Sequence, residues 1–161
     1  MSELNPADLD LPTLASLAGS AANQYLLRRL HEDGYPGVRT SHGYVIQNLI
    51  DERPTVGELA IRLGVTQQAV SKTVAEMEGL GLVTRAADPA DSRVRRVTLT
   101  PHGEALLAAG RAARAELERV VAAEVGDLSA AKQALLSMLQ RTGDLTAVTR
   151  RRVRLAPEDT T

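Results

Sequence analysis

Apolar positions recur along the chain with a period that changes from helical to extended and back. Leu14, Leu17, Ala18, Ala21, Tyr25 and Leu30 return at spacings of three to five. That rhythm predicts a helix over 13–33 with one apolar face. Pro12-Thr13 opens it, residues 1–11 form a loose start, and Gly34-Tyr35-Pro36-Gly37 is a break. A second helix is expected from about Ser41, carrying Tyr44, Val45, Leu49 and Ile50 and ending at Arg53-Pro54. Thr55-Val56-Gly57-Glu58 then has the form of a capping box, with Leu59, Ala60 and Leu63 facing inward and Gly64 as the stop. Thr66 caps the next helix, with Val65 and Val70 spaced as a hydrophobic staple, and Gly79 or Gly81 closes it. Two β-branched segments, 82–86 and 94–100, flank the turn formers Asp88-Pro89-Ala90-Asp91-Ser92. Thr100-Pro101 starts a long helix striped by Leu106, Leu107, Ala113, Leu117, Val120, Val121 and Val125, which Gly126-Asp127 breaks. Ser129 caps a last helix with Leu135, Leu136, Met138 and Leu139, expected to continue to about 148.

Residues 54–103 therefore read short helix, tight turn, second helix, strand, loop, strand. That order is a winged helix-turn-helix. The expected fold is mostly α with a small β-wing, the winged lobe being flanked by N- and C-terminal dimerisation helices over 13–33 and 101–148. No repeat and no long linker divides the chain, so 1–161 forms one domain. The terminal stripes exceed what a small winged lobe can cover. A homodimer is expected, with a monomeric bundle packed on the lobe as the alternative.

Composition narrows the chemistry. Aromatic residues are only 2%, so the core must be aliphatic. Cysteine is absent, which excludes disulfides, thiolate zinc sites and thiol redox sensing. There is no secretory leader and no apolar run of about 18 residues, so a cytoplasmic protein with no membrane partner is expected. A net charge of −1 says little, because phosphate contact depends on where cations sit. The chain carries no nucleophile–base pattern, no phosphate-cradling glycine loop and no His-Glu-x-x-His, and it is not expected to be an enzyme.

The helix after Gly64 carries the functional signal. Val70, Val74 and Met77 share one face; Gln68, Lys72 and Ala75 share the opposite one, flanked by Thr66, Gln67 and Ser71. Short or hydrogen-bonding side chains with one cation suit a helix entering a major groove. Gln pairs with adenine, Lys reaches guanine or phosphate, and Ser and Thr serve either. Taken alone, this is also an ordinary polar helix face. The wing alters the balance, because Arg93, Arg95 and Arg96 follow its turn, where a basic ribbon can lie on the backbone and enter a minor groove. Asp91 is placed to orient Arg93 through a charge-assisted pair.

Glu58-Leu59-Ala60, Leu63-Gly64-Val65-Thr66-Gln67, Val70-Ser71, the wing Asp88-Pro89-Ala90-Asp91-Ser92-Arg93 and Leu99-Thr100-Pro101-His102-Gly103 together resemble the MarR family of transcription regulators. The wing followed by Leu-Thr and Gly is the specific part; the helix pair alone fits many regulator families. The resemblance implies a dimer joined by its terminal helices and bound to a near-palindromic operator in double-stranded DNA. It further implies a repressor released by a small phenolic or anionic effector, with no cofactor required. By position, Thr66, Gln67, Gln68, Ser71 and Lys72 belong to the recognition helix, Arg93 matches the wing arginine and Asp91 its partner. Tyr35, Arg39, His42 and Tyr44 fall at the junction where a family ligand would sit; junction packing is the plainer account of each. Two other readings stay open: a winged-helix protein-interaction module, and a metal-sensing regulator using His31 and His42 with carboxylates. No metal ligand is assigned. Arg150, Arg151, Arg152 and Arg154 have no assigned role.

Overall fold

A computed structural model describes residues 5–143. A 3-10 turn at Pro6–Asp8 leads into α1 (Leu11–Glu32), α2 (Thr40–Gln47), α3 (Val56–Leu63), α4 (Gln67–Gly79), β1 (Val83–Ala87), β2 (Arg95–Leu99), α5 (Pro101–Val125) and α6 (Ser129–Arg141). The protein is thus mainly helical with one antiparallel two-stranded sheet, running from the pair Val83–Leu99 to the pair Ala87–Arg95. The expected continuation of the last helix from 144 to 148 and the Arg150–Arg154 cluster lie outside the described residues.

Local sequence sets most helix boundaries. Thr55 accepts the Glu58 N–H at 3.2 Å, while the Glu58 carboxylate accepts the Thr55 N–H at 2.7 Å, closing the capping box. Thr66 accepts the Ala69 N–H and Thr100 accepts the Gly103 N–H, so both threonines cap as their positions imply. Gly64 ends α3 in the left-handed region at φ 70°, and the Val65 N–H returns to the Ala60 carbonyl at 3.1 Å. This left-handed residue makes the turn between α3 and α4 tight.

Three boundaries differ from expectation. Asp10, rather than Pro12-Thr13, starts α1, because its carboxylate accepts the Thr13 N–H at 2.9 Å. α2 ends at Gln47, well before Pro54. The chain turns there so that Leu49 joins the core and the buried Pro54 offers its carbonyl to the Val97 N–H at 2.9 Å. Ser129 is the first residue of α6; the capping bond comes from Asp127, which accepts the Ser129 N–H at 3.0 Å.

One aliphatic core lies under α2, α3, α4, the sheet and the first half of α5. Leu59, Val70, Val74, Met77, Leu82, Val97 and Leu106 are almost wholly buried in it. Gly103 permits the closest approach within it. A Cβ there would stand 2.0 Å from the Leu82 carbonyl oxygen, so only glycine lets α5 start against the strand. Beyond Ala113 the long helix leaves the core. α1 contributes only Leu30, and α6 contributes nothing buried.

Candidate nucleic-acid interface and adjoining cavity

α4 is anchored by Val70, Val74 and Met77, and this fixes which side chains face away from the lobe. Thr66, Gln67, Gln68, Lys72 and Ala75 are exposed. Among the described residues, the side chains of Gln67, Gln68 and Lys72 have no hydrogen-bond or ion-pair partner. Ser71 is half-buried. Its carbonyl accepts a bond from the Arg85 guanidinium at 3.2 Å, and Arg85 also pairs with Glu78 at 3.4 Å. Arg85 thereby ties the middle of α4 to strand β1. Sequence reading missed it, since nothing in a strand's pattern shows which helix carbonyl it will meet.

The wing is held differently from the expectation. Asp91 accepts the backbone N–H of Arg93 at 3.0 Å and shapes the tip; it makes no ion pair with the Arg93 guanidinium. The carboxylate–guanidinium pair is Asp88 with Arg96. The Arg96 guanidinium and the Ala90 N–H hold the Asp88 carboxyl below the usual carboxylate range. Arg96 also donates to the Arg53 carbonyl at 2.9 Å and lies 3.6 Å from Glu58. Arg96 therefore fastens the wing to the start of α3 instead of standing free for a ligand. Arg93 and Arg95 remain exposed, with side chains unpaired among the described residues. Lys72 on α4 and Arg93 and Arg95 on the wing are thus exposed cations without partners among the described residues, in a chain of net charge −1.

A cavity of about 220 Å³ opens between α1, α2 and α5. Leu27, Leu30, Ile46 and Leu106 supply apolar walls; Asn23, Arg39, Thr40, Tyr44, Gln47 and Arg114 supply polar ones. Of the four junction residues, Arg39 and Tyr44 line it. Tyr35 instead stacks on His102, with ring centroids 5.1 Å apart. His42 is buried behind the cavity, its Nδ1 accepting the Arg39 N–H at 3.2 Å and its Nε2 3.5 Å from a Glu76 oxygen. Burial pushes the imidazole below its ordinary range against the pull of Glu76. Asn23 and Arg114 were missed because they join Arg39 only when α1 and α5 cross α2. His31 bonds the Val38 carbonyl at 2.9 Å, and no group of three His, Asp or Glu side chains suited to a metal exists among the described residues.

The model of the MarR family matches residues 37–94, the stretch from the cavity to the wing. The transcriptional regulator HosA of Escherichia coli is 35% identical over 104 residues, which are 63% of this chain and 75% of that protein. This chain belongs to the MarR family. The match to HosA of the O111:H- strain is 40% identical over 72 residues, and there the chain spans about half (53%) of the relative. The fold is shared with a crystal structure of a MarR family transcription regulator at TM-score 0.64 and 24% identity, covering 84% of this chain and 87% of that one. It is also shared with a mutant of S. aureus MepR bound to an oligodeoxyribonucleotide, at TM-score 0.60 and 18% identity, over 86% and 99%. The protein is a MarR-family transcriptional regulator with a winged-helix fold, and not an enzyme. No helix among the described residues is long and apolar enough to cross a membrane.

Proposed function

We propose that this MarR-family protein is a homodimeric, sequence-specific repressor that binds a near-palindromic operator in double-stranded DNA and is released by a small effector. The observation that carries DNA binding is the free face of α4 together with the free wing cations. Gln67, Gln68 and Lys72 on α4, and Arg93 and Arg95 on the wing, stand exposed and unpaired among the described residues. Side chains already engaged with one another would have to break those bonds to reach a base, whereas these do not. The MepR neighbour bound to an oligodeoxyribonucleotide has the same fold, which supports the same use here. Phosphate contacts from Arg93 and Arg95 position the lobe; Gln67, Gln68 and Lys72 read base edges, and Thr66 and Ser71 frame them.

The dimer is supported by the apolar surface left on the terminal helices. Leu11, Leu14 and Leu17 on α1, Val120, Val121 and Val125 on α5, and Leu135 and Leu136 on α6 are all exposed. A twofold partner placing two α4 helices about 34 Å apart matches two half-sites one turn apart. The effector would occupy the 220 Å³ cavity. That volume exceeds the roughly 150 Å³ that holds one benzene ring and falls below the roughly 300 Å³ at which drug-sized sites begin. A single-ring ligand fits this range.

The test is duplex binding at two salt concentrations against the DNA upstream of the protein's own gene. Tight binding at one palindromic site, weakened by salt, is expected. Arg93→Ala should lower affinity for all duplexes and flatten the salt slope by about 0.9 per lost phosphate contact. Gln68→Ala should instead change base preference. Absence of salt-sensitive binding to any duplex would sink the reading in favour of a protein-interaction module.

A further inference from the structure

The wing is tied to the helix-turn-helix through one ion pair. Asp88 Oδ1 accepts the Ala90 N–H at 2.8 Å, and its Oδ2 pairs with Arg96 Nε. Arg96 Nη1 donates to the Arg53 carbonyl at 2.9 Å and lies 3.6 Å from the Glu58 carboxylate. Glu58 in turn closes the capping box of α3. The turn tip, the strand β2 and the start of α3 are thereby linked through two side chains. The Asp88 side chain is 13% exposed and that of Arg96 34%, so water only partly screens the pair. Among the described residues, no other ion pair joins residues 88–97 to a helix.

Such a tether has work to do at this place. β1 and β2 make a sheet of two strands, and a two-stranded ribbon holds its shape only marginally by itself. Backbone bonds close it at Asp88–Val94 and fix its base at Val97–Pro54, each 2.9 Å long. Neither sets the angle at which the tip leaves the lobe. Arg93 and Arg95 lie beyond the base and are exposed. Cations on a ribbon reach phosphates only while the ribbon holds the right angle. A ribbon that holds it part of the time binds more weakly in proportion to that fraction.

We infer that Asp88 and Arg96 are positioning residues for duplex binding: their pair holds the wing against the start of α3, at the angle from which Arg93 and Arg95 meet the DNA backbone. This rests on the DNA-binding reading above and adds to it two residues that act without touching DNA. Asp88 puts a negative charge on the same wing as Arg93. By charge alone it would oppose phosphate, and its removal would tighten binding. As a positioning residue it has the opposite sign of effect, and the sign separates the two accounts.

The experiment measures the affinity of the full chain over a range of salt concentrations, for the DNA upstream of its own gene and for mixed-sequence duplex. Asp88→Asn is nearly isosteric. The amide oxygen still accepts the Ala90 N–H, while the amide nitrogen replaces the oxygen that faced Arg96. It should weaken binding to both duplexes about tenfold and leave the salt slope unchanged, because the same phosphates are reached by a wing that is in place less often. Arg96→Gln should do the same. A phosphate contact made by Arg96 itself would instead lower the slope by about 0.9. Arg96→Lys should recover part of the affinity, since an ammonium can pair with Asp88 but lacks the fork that also reaches the Arg53 carbonyl. With Arg93 and Arg95 both changed to Ala, Asp88→Asn should alter affinity less than about twofold, because the wing has no cation left to place. Backbone relaxation in solution should show residues 90–95 more mobile in Asp88→Asn, with α3 and α4 unchanged.

Duplex binding that is unchanged or tighter in Asp88→Asn overturns the inference. So does a tenfold loss that persists without Arg93 and Arg95, and so does a slope lowered by Arg96→Gln. The DNA-binding reading survives all three. Wild-type protein with no salt-sensitive binding to any duplex overturns that reading and the inference together.

Discussion

The winged lobe and the terminal helices are built from similar aliphatic residues yet end in opposite states. In the lobe, α4 has thirteen residues and buries Val70, Val74 and Met77. α6 also has thirteen residues, with Leu135, Leu136, Met138 and Leu139 spaced as an apolar face, and buries none. Leu17 on α1 is 55% exposed and Val125 on α5 is 65% exposed, while Leu59 and Met77 are fully covered. An apolar face left in water forgoes the roughly 25 cal/mol per Å² that burial supplies. The difference teaches that the lobe core is complete among the described residues, whereas the outer helices carry apolar faces that nothing among the described residues covers.

The sharpest test of lobe completeness is Gly103→Ala. The new Cβ would collide with the Leu82 carbonyl, a backbone atom that cannot swing away. A loss of about 3 kcal/mol is expected in denaturant titration, the upper end of overpacking effects. Joint Leu17→Asp and Val121→Asp exchange attacks the other region. If the proposed homodimer on a two-half-site operator is right, it should leave helical content and lobe stability nearly unchanged, convert the protein to monomer in sedimentation, and weaken duplex binding by about 100-fold through loss of the second half-site. A dimer that survives both charges would show that the exposed stripes have another use.

Gly64→Ala should cost about 1–2 kcal/mol, because φ 70° places the new Cβ against the following carbonyl. Acid should act on the lobe through His42. Burial lowers its folded-state proton affinity, so the unfolded chain binds the extra proton first. The stability His42 contributes is complete above the ordinary imidazole value of about 6.5 and is lost as pH falls below it. His42→Gln should flatten that part of the stability–pH curve; an unchanged curve would remove His42 as its cause. The smallest effect is expected at Gly19 in the middle of α1, where a Cβ meets nothing within 4 Å. Gly19→Ala should stabilise by about 0.5–1 kcal/mol, the ordinary helix preference. An opposite sign would mean that a partner's helix packs against that glycine.

Much of the lobe was legible because its determinants are local. Thr55 with Glu58, Thr66 and Thr100 each cap within three residues, and Gly64 makes its turn from its own φ. The recognition face was legible for the same reason, since one helical period separates Val70 and Val74 from Gln68 and Lys72. The wing's ion pair was not. Asp91 lies two residues from Arg93, but the strand register sets Ala86 opposite Arg96 and brings Asp88 to that guanidinium. The end of α2 was misplaced because a proline marks only where a helix cannot run, whereas α2 stops at Gln47, Leu49 turns into the core and the Pro54 carbonyl accepts the Val97 N–H.

The sequence by itself determined the order of elements, the caps, the split of α4 into a core face and a polar face, and the absence of thiol chemistry. These depend on groups within one helical turn, or on composition. Only the tertiary structure decided that Arg96 is consumed by Asp88 while Arg93 and Arg95 stay free, that Arg85 braces Ser71, and that Asn23, Arg39 and Arg114 share a cavity. It also placed Glu76 between Arg39 and His42. Those pairings join residues from different elements, and their distances follow from how helices cross and strands register, which no short stretch of the chain encodes.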